Sequence, residues 1–387
     1  MASTVRFVAH PVIDFGGTHC RVGWVARITK NGRFIGTPKI MRVGRFECPL
    51  NKIGQPDIKA TLAIARKMIT EMTPSKIRIL KIIGGSFPGA WLENGYAYPG
   101  TANNTEELEN YPLAKELSKL MGEGWQAYIN NDGVANVLAI AQGLMTNLNR
   151  FPAIKEALRR SPKVAGFIPG TGFGAGAFKV KGSSLVPVSG FQQFFDMAIG
   201  KGPGVVDPKN KRTTPEDFAA GVGLAFQAKH SILKKLYSDE ELSPQRIGKL
   251  LARLAFSSQG VSDAERQAAL ALYRGAARAL VDTMILTHDG VKKGERRKLV
   301  VNDPPELETQ FWRSIKGTRV FIFGGWLTNP QVKRFMADAV ADELRKAGRT
   351  DLHFVFSDEI KGIQKMIDND SVALVGAALL VPGKIKA

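Results

Sequence analysis

Three short stretches of this chain bring together residue types that can do chemistry. In Val12-Ile13-Asp14-Phe15-Gly16-Gly17-Thr18-His19-Cys20-Arg21, an apolar approach ends in a carboxylate, two glycines and a hydroxyl. Glycines at such a turn let backbone N–H groups come close to an anion, because no Cβ stands in the way. An adjacent Asp can hold Mg²⁺, usually through water, while Thr18 donates to a phosphate oxygen. An ordinary hairpin turn is the competing reading of this stretch taken alone. Gly170-Thr171-Gly172-Phe173-Gly174-Ala175-Gly176 repeats the design in the second half of the chain. Without a following helix it is no dinucleotide-binding fingerprint, and its value lies in being a second copy. Between the two, Asn130-Asn131-Asp132-Gly133 sets an acid where an apolar strand hands over to a small-residue helix. The helix dipole there favours the ionised carboxylate. A plain N-cap with no chemistry is the commoner use of Asn and Asp at such a junction.

The elements that position these stretches can be read from pattern. Phe7, Val8, Val12 and Ile13 lead into the first turn and Arg21–Arg27 leaves it, a strand–turn–strand hairpin. A further extended piece runs from Arg33 to Val43. Asp57–Met72 places Ile58, Leu62, Ala65, Ile69 and Met72 on one helical face, and Pro74 stops it. Ile77–Ile83 reads as a short strand ending at Gly84-Gly85-Ser86-Phe87-Pro88-Gly89. Three strands, a helix and a strand suit an α/β layer. Residues 98–113 read as a loop, Leu113–Leu120 as a short helix, and Trp125–Ile129 as the strand that delivers Asn131 and Asp132 to the helix Val134–Leu144. Val164–Ile168 and Ala177–Val180 flank the second turn, so the two hairpins look like a duplicated core. Thr214 reads as the N-cap of a helix that has Pro215 at its first position and runs past His230. Helices over Pro244–Phe256 and Ser262–Leu286 follow. Then come a strand over Thr318–Phe323, Gly324-Gly325, a helix over Gln331–Lys346, a strand at Phe354–Phe356 and a tight-packing helix, Val372–Leu380.

At 387 residues, two domains are the expectation. No run approaches the roughly 18 apolar residues that a membrane helix needs, and no signal peptide is visible. The two cysteines, Cys20 and Cys48, lack CxxC spacing, which argues against a disulfide framework and fits a reducing cytoplasm. The net charge of +19 could mark a polyanionic partner such as nucleic acid or polyphosphate. Basic residues are dispersed, with local clusters at Arg159-Arg160, Lys209–Arg212 and Lys292–Lys298, and no nucleic-acid motif is present. A generally basic surface explains the charge more cheaply.

Together, the stretches resemble the ROK and bacterial glucokinase group of sugar kinases, in the hexokinase branch of the actin-like ATPase superfamily. Five segments match in order: Asp14–Arg21, Asn131-Asp132, Gly170–Gly174, Phe323-Gly324-Gly325 with Asn329, and Ala373–Ala378. A sixth, Glu216–Leu224, looks like the glutamate-to-glycine stretch that opens a large-domain helix. The resemblance implies a duplicated, ribonuclease H-like α/β fold of two domains with a cleft between them and a substrate-closing hinge. The small domain would be 1–128 completed by 366–387; the large one would be 129–365 with a helical insertion about 214–290. It implies ATP-dependent, in-line phosphorylation of a hexose or hexose-like sugar. Asp132 would be general base, Asn131 and Glu216 would contact the sugar, and Asp14 would bind Mg²⁺ through water. Gly16, Gly17, Thr18, Arg21, Gly170, Thr171, Gly172 and Gly174 would cradle phosphates, with Gly221, Gly324, Gly325 and Asn329 along the adenosine. Asn103 or Asn104 would be a further sugar contact. A homodimer is compatible with the family.

The chain departs from that pattern too. Where these kinases carry a Glu-x-Gly-His element, it reads Val188-Ser189-Gly190-Phe191-Gln192-Gln193-Phe194, and the cysteine-rich zinc loop is absent. Gln193 or Gln192 could replace the glutamate, with Asp196 nearby, or the stretch is a surface loop. Glucose as the substrate is thereby weakened. Two alternatives stand beside the ATP-dependent kinase: polyphosphate as donor, or a non-catalytic sugar-sensing regulator. The second lacks the helix-turn-helix of family repressors, since the first hairpin begins near residue 7.

Overall fold

The computed structural model describes residues 5–16, 19–89, 107–108, 111–170, 172–182, 184–188, 214–290, 313–368 and 371–382. The chain divides into two compact units, Met1–Gly143 with Gly362–Ala387, and Leu144–Lys361.

In the first unit, β1 (Val5–Phe15), β2 (His19–Lys30) and β3 (Arg33–Glu47) form an antiparallel meander. Helix α1 (Ile58–Glu71) follows, capped by Asp57, whose carboxylate accepts from the Ala60 N–H at 2.9 Å. Its buried stripe of Ile58, Leu62, Ala65 and Ile69 packs on the sheet beneath Trp24. Each large aliphatic side chain buried there stabilises by about 1.5–3 kcal/mol. After the short β4 (Arg78–Ile79), β5 (Ile82–Phe87) joins parallel to β1. Helix α2 (Leu113–Met121) crosses over, and β6 (Gln126–Asn131) joins parallel to β5. The sheet order is β3-β2-β1-β5-β6, with β4 on β1. Helix α3 (Asp132–Thr146) begins directly at the end of β6. The C-terminal helix Val372–Leu380 lies on this sheet, and missing side chains permit the approach. A Cβ on Gly84 would stand 2.2 Å from the Ala377 carbonyl oxygen, and one on Gly376 would stand 1.9 Å from that of Ala135. The buried Arg27 donates to the Ala378 carbonyl at 2.8 Å, a cation at that helix's negative end.

The second unit repeats the topology. Helix α4 (Pro152–Arg160) precedes an antiparallel meander of β7 (Lys163–Pro169), β8 (Phe173–Lys181) and β9 (Ser184–Pro187). Then come α5 (Glu216–Ala219), α6 (Gly221–Lys229), α7 (Ile247–Phe256) and the 27-residue α8 (Asp263–Asp289), which has a full capping box at Ser262 and Glu265. Strand β10 (Val320–Phe323) lies parallel to β7. It leads through Gly324 and a short 3₁₀ turn into α9 (Pro330–Lys346) and then β11 (His353–Phe356), parallel to β10. The order β11-β10-β7-β8-β9 is that of the first unit: a meander whose first strand takes two parallel strands beyond it. The duplicated α/β fold expected from the two glycine hairpins is therefore present.

Three local expectations need correcting. Gly84 and Gly85 lie inside β5 and do not end it; the helix above requires a bare strand at Gly84, and a Cβ on Gly85 would crowd Phe87. The helix expected from Thr214 past His230 is broken. Ala220 is extended (φ −100°, ψ 163°), Gly221 restarts the helix, and His230 caps its end. Glycine at 223 permits that break, since a Cβ there would stand 2.2 Å from the Glu216 carbonyl oxygen. Thr214 caps no helix either. Its N–H and hydroxyl donate to the Asp217 carboxylate at 2.8 and 3.0 Å, and the turn starts at Pro215.

Candidate functional site

In the first unit the sheet register gathers the acids. Asp14 pairs with Arg21 across the hairpin and with Ser86 on β5, and Ser86 pairs with Asn130 on β6. One row across the sheet thus brings Asp14 close to the junction where β6 becomes α3. Asp14 is 3% exposed. One carboxylate oxygen accepts from the Arg21 guanidinium at 2.8 Å and the other from the Ser86 hydroxyl at 2.7 Å. Arg21, expected on phosphate, balances this buried carboxylate. Gly16 closes the turn by donating to the His19 carbonyl at 2.9 Å. Gly17 and Thr18 lie outside the described residues.

Asn131 is 5% exposed and ends β6. Its amide oxygen accepts from the N–H groups of Gly133 (2.8 Å) and Val134 (3.3 Å), and its amide nitrogen donates to the Gly89 carbonyl at 2.9 Å. Capping, the plain reading of this junction, is therefore the work of Asn131. Asp132, one residue later, is left for other use. It is partly buried, accepts from the Gly133 N–H at 2.7 Å, and has its carboxyl pushed up to about 6. Burial is the larger cause, and the Asp14 charge the second. The helix dipole was expected to favour the ionised form. Its worth at a helix start, about 0.3–1 kcal/mol, is outweighed here by desolvation and a like charge.

In the second unit the glycine-rich turns converge on the end of β7. Gly221 donates to the Gly170 carbonyl at 2.8 Å, and Gly324 donates to the Phe167 carbonyl at 3.0 Å. Gly325 has φ +64°, and a Cβ on it would stand 2.0 Å from the Pro169 carbonyl oxygen, so no other residue fits. Glu216, expected on the sugar, accepts from the Phe173 N–H at 3.2 Å and sits 3.0 Å from the Cβ position of Gly172. It braces the second glycine turn. Gly174 is part of β8, opposite Ile168, and does not belong to the turn.

A cavity of about 380 Å³ opens beside these turns. Four residues singled out in the sequence line it: Gly170, Gly221, Gly325 and Asn329. The Asn329 amide oxygen also caps α9, accepting from Gln331 and Val332 N–H groups. Trp326 forms part of the wall. Its indole N–H donates to the Ala219 carbonyl at 2.9 Å, and its ring stacks on Tyr273 at 5.5 Å. Gln245, Gly248 and Lys249 also line the cavity and were missed in the sequence, where they read only as the start of an amphipathic helix. Thr171, Asn103, Asn104, Gln192, Gln193 and Asp196 lie outside the described residues.

Among the described residues, no group of three or more His, Cys, Asp or Glu side chains could by itself enclose a metal ion. The Asp14 carboxylate suits Mg²⁺ bound through water all the same, because that ion usually takes one or two carboxylates and keeps several waters. Among the described residues, no helix is long and apolar enough to cross a membrane.

No protein-family model matches the sequence, and no curated protein matches it. Solved structures do match along nearly the whole chain. The Lmo2764 protein of Listeria monocytogenes is 16% identical with TM-score 0.60, over 96% of this chain and 98% of that one. The ROK hexokinase of Thermus thermophilus is 15% identical with TM-score 0.54, over 96% and 97%. A ROK family transcriptional regulator, a homolog of the E. coli MLC protein, is 15% identical with TM-score 0.56, over 96% and 78%. A hexokinase and a regulator on one fold mean that fold alone does not decide activity. In architecture, the chain has the two-unit α/β fold of the ROK sugar kinases and their relatives.

Proposed function

We propose that the chain is a sugar kinase, moving the terminal phosphoryl group of ATP in line onto a hydroxyl of a hexose or hexose-like sugar. The observation that carries this reading is the Asp132 carboxyl at the start of α3, raised to about 6 beside Asp14. A base of that strength is mostly ionised at neutral pH and can still take the hydroxyl proton as the bond to phosphorus forms. Asn131 fixes the chain at Asp132 and keeps one amide hydrogen for a neighbouring sugar hydroxyl. Asp14, oriented by Arg21 and Ser86, would hold Mg²⁺ through water. When bound, the ion would neutralise charge on the outer phosphates.

Gly16, Gly17 and Thr18, with Gly170, Thr171 and Gly172, would line the phosphates. The cavity at Gly221, Gly325 and Asn329, next to Gly324, would take the nucleoside. Glu216, which also accepts from the Phe173 N–H, stays with Asn103, Asn104 and Gln193 as a candidate sugar contact. A reducing cytoplasm suits two free, buried cysteines.

Asp132→Asn tests the assignment. Turnover should fall by about 10²–10⁴ while ATP affinity stays within about twofold; a variant that keeps full turnover would remove Asp132 from the mechanism. The +19 charge favours one second reading, polyphosphate as donor. Activity with polyphosphate that depends on chain length, and none with ATP, would select it.

A further inference from the structure

One wall of the nucleoside cavity belongs to no glycine turn. Gln245, Gly248 and Lys249 bring the start of α7 to its edge. Gly248 is the odd residue there. Glycine is a poor choice inside a helix. The backbone at 248 does not call for glycine, because its φ is not positive. Packing does not call for it either: a Cβ would meet no atom within 4 Å. The space left bare is on the cavity. Gly170, across the lining, likewise has nothing within 4 Å of its Cβ position.

Two further features point to the occupant. Trp326 lines the cavity as an aromatic side chain already held by its hydrogen bond to Ala219 and its stacking on Tyr273, which lowers the cost of ordering it on binding. Gln245 and Lys249 carry polar groups with no hydrogen bond or ion pair among the described residues. A rigid ring face, a stripped backbone and unengaged polar ends suit a planar heterocycle with both donors and acceptors on its rim. A glutamine amide can accept from an exocyclic amino group and donate to the ring nitrogen beside it, the pairing that reads adenine elsewhere. The Lys249 ammonium only donates, and serves an acceptor edge.

We infer that the chain entering α7, from Gln245 to Lys249, is the base-reading wall of this cavity. Gly248 is kept bare to admit a purine, and Gln245 makes adenine preferred over guanine, whose O6 and N7 edge offers acceptors only. The inference rests on the sugar-kinase reading and adds the residues that choose the nucleotide.

The test is Gly248→Leu, with ATP and tripolyphosphate titrated separately by calorimetry into the full-length protein. Leu is the better helix former and its Cβ meets no atom within 4 Å, so the thermal midpoint should equal or exceed that of the wild type. ATP should bind at least tenfold more weakly, with tripolyphosphate unchanged. Gln245→Leu, at an exposed position, is the second arm: the preference for ATP over GTP should fall at least fivefold. Wild-type ATP affinity in Gly248→Leu, or an unaltered ATP-to-GTP ratio in Gln245→Leu, would overturn the inference and leave the kinase reading standing. ATP binding that is lost in Gly248→Leu, in a protein that phosphorylates no sugar, would uphold the wall and remove the kinase.

Discussion

Asp132→Asn should make the protein more stable at neutral pH as well as inactive, and both effects have one cause. The Asp132 carboxyl is raised from 3.8 to about 6, first by burial and then by Asp14. The folded state therefore holds this proton more tightly than the unfolded chain does. Between about pH 3.8 and 6 the folded protein binds more protons, so this group's contribution to stability falls as pH rises through that window and is constant above it. At about 1.36 kcal/mol per pH unit, a rise of this size corresponds to about 3 kcal/mol. Partial exposure reduces it to about 1–2 kcal/mol. Asparagine keeps an oxygen for the Gly133 N–H and carries no charge beside Asp14. Urea unfolding of the two proteins at pH steps from 4 to 8 is the assay. Their stabilities should coincide near pH 4 and separate by about 1–2 kcal/mol, in favour of the variant, by pH 7. A gap that does not change with pH, or a variant less stable at pH 7, would refute the reasoning. In the wild type, kcat/KM should lose activity below an apparent pKa near 6.

Arg21→Ala leaves the Asp14 carboxylate buried without its cation. It should cost about 2–4 kcal/mol at pH 7, read by urea midpoint, and an unchanged midpoint would contradict it. Gly325→Ala meets both a positive φ and the Pro169 carbonyl. A loss of about 1–3 kcal/mol with weakened nucleotide binding is expected, and an unchanged melting curve would contradict it. Gly376→Ala improves helix propensity by about 1 kcal/mol, yet its Cβ would stand 1.9 Å from the Ala135 carbonyl oxygen. Overpacking should win, lowering the thermal midpoint.

Local signals carried much of the fold. The stripe from Ile58 to Ile69 announced α1, though not that Asp57 is its cap, and the apolar run Val372–Leu380 marked the last helix to the residue. Both hairpins followed from alternation around glycine turns, and their repetition pointed to the duplicated topology that the two sheets share. What escaped depends on distant contacts. Gly84-Gly85 looks like a turn in sequence, and only the helix lying on Gly84, with Phe87 against Gly85, explains why the strand runs on. The break at Ala220 answers to Gly223 packing beneath Glu216, which no propensity encodes. At the site, four of the lining glycines and asparagines were visible because their types are unusual. Gln245 and Lys249 were invisible, since polar residues at a helix start are ordinary until a cavity is found beside them. Glu216 was visible as a residue, but its hydrogen bond from the Phe173 N–H was not, because a carboxylate bracing a glycine turn and one gripping a sugar look alike in sequence.

The central claim is that this chain phosphorylates a sugar hydroxyl. Its most direct measurement is a panel of hexoses and amino sugars incubated with the wild-type protein, ATP and Mg²⁺, following ADP release and the mass of each sugar. At least one sugar should gain a single phosphoryl group with one ADP released per phosphosugar, and Asp132→Asn should abolish both. No phosphosugar from any member of the panel, with either ATP or polyphosphate as donor, would contradict the claim.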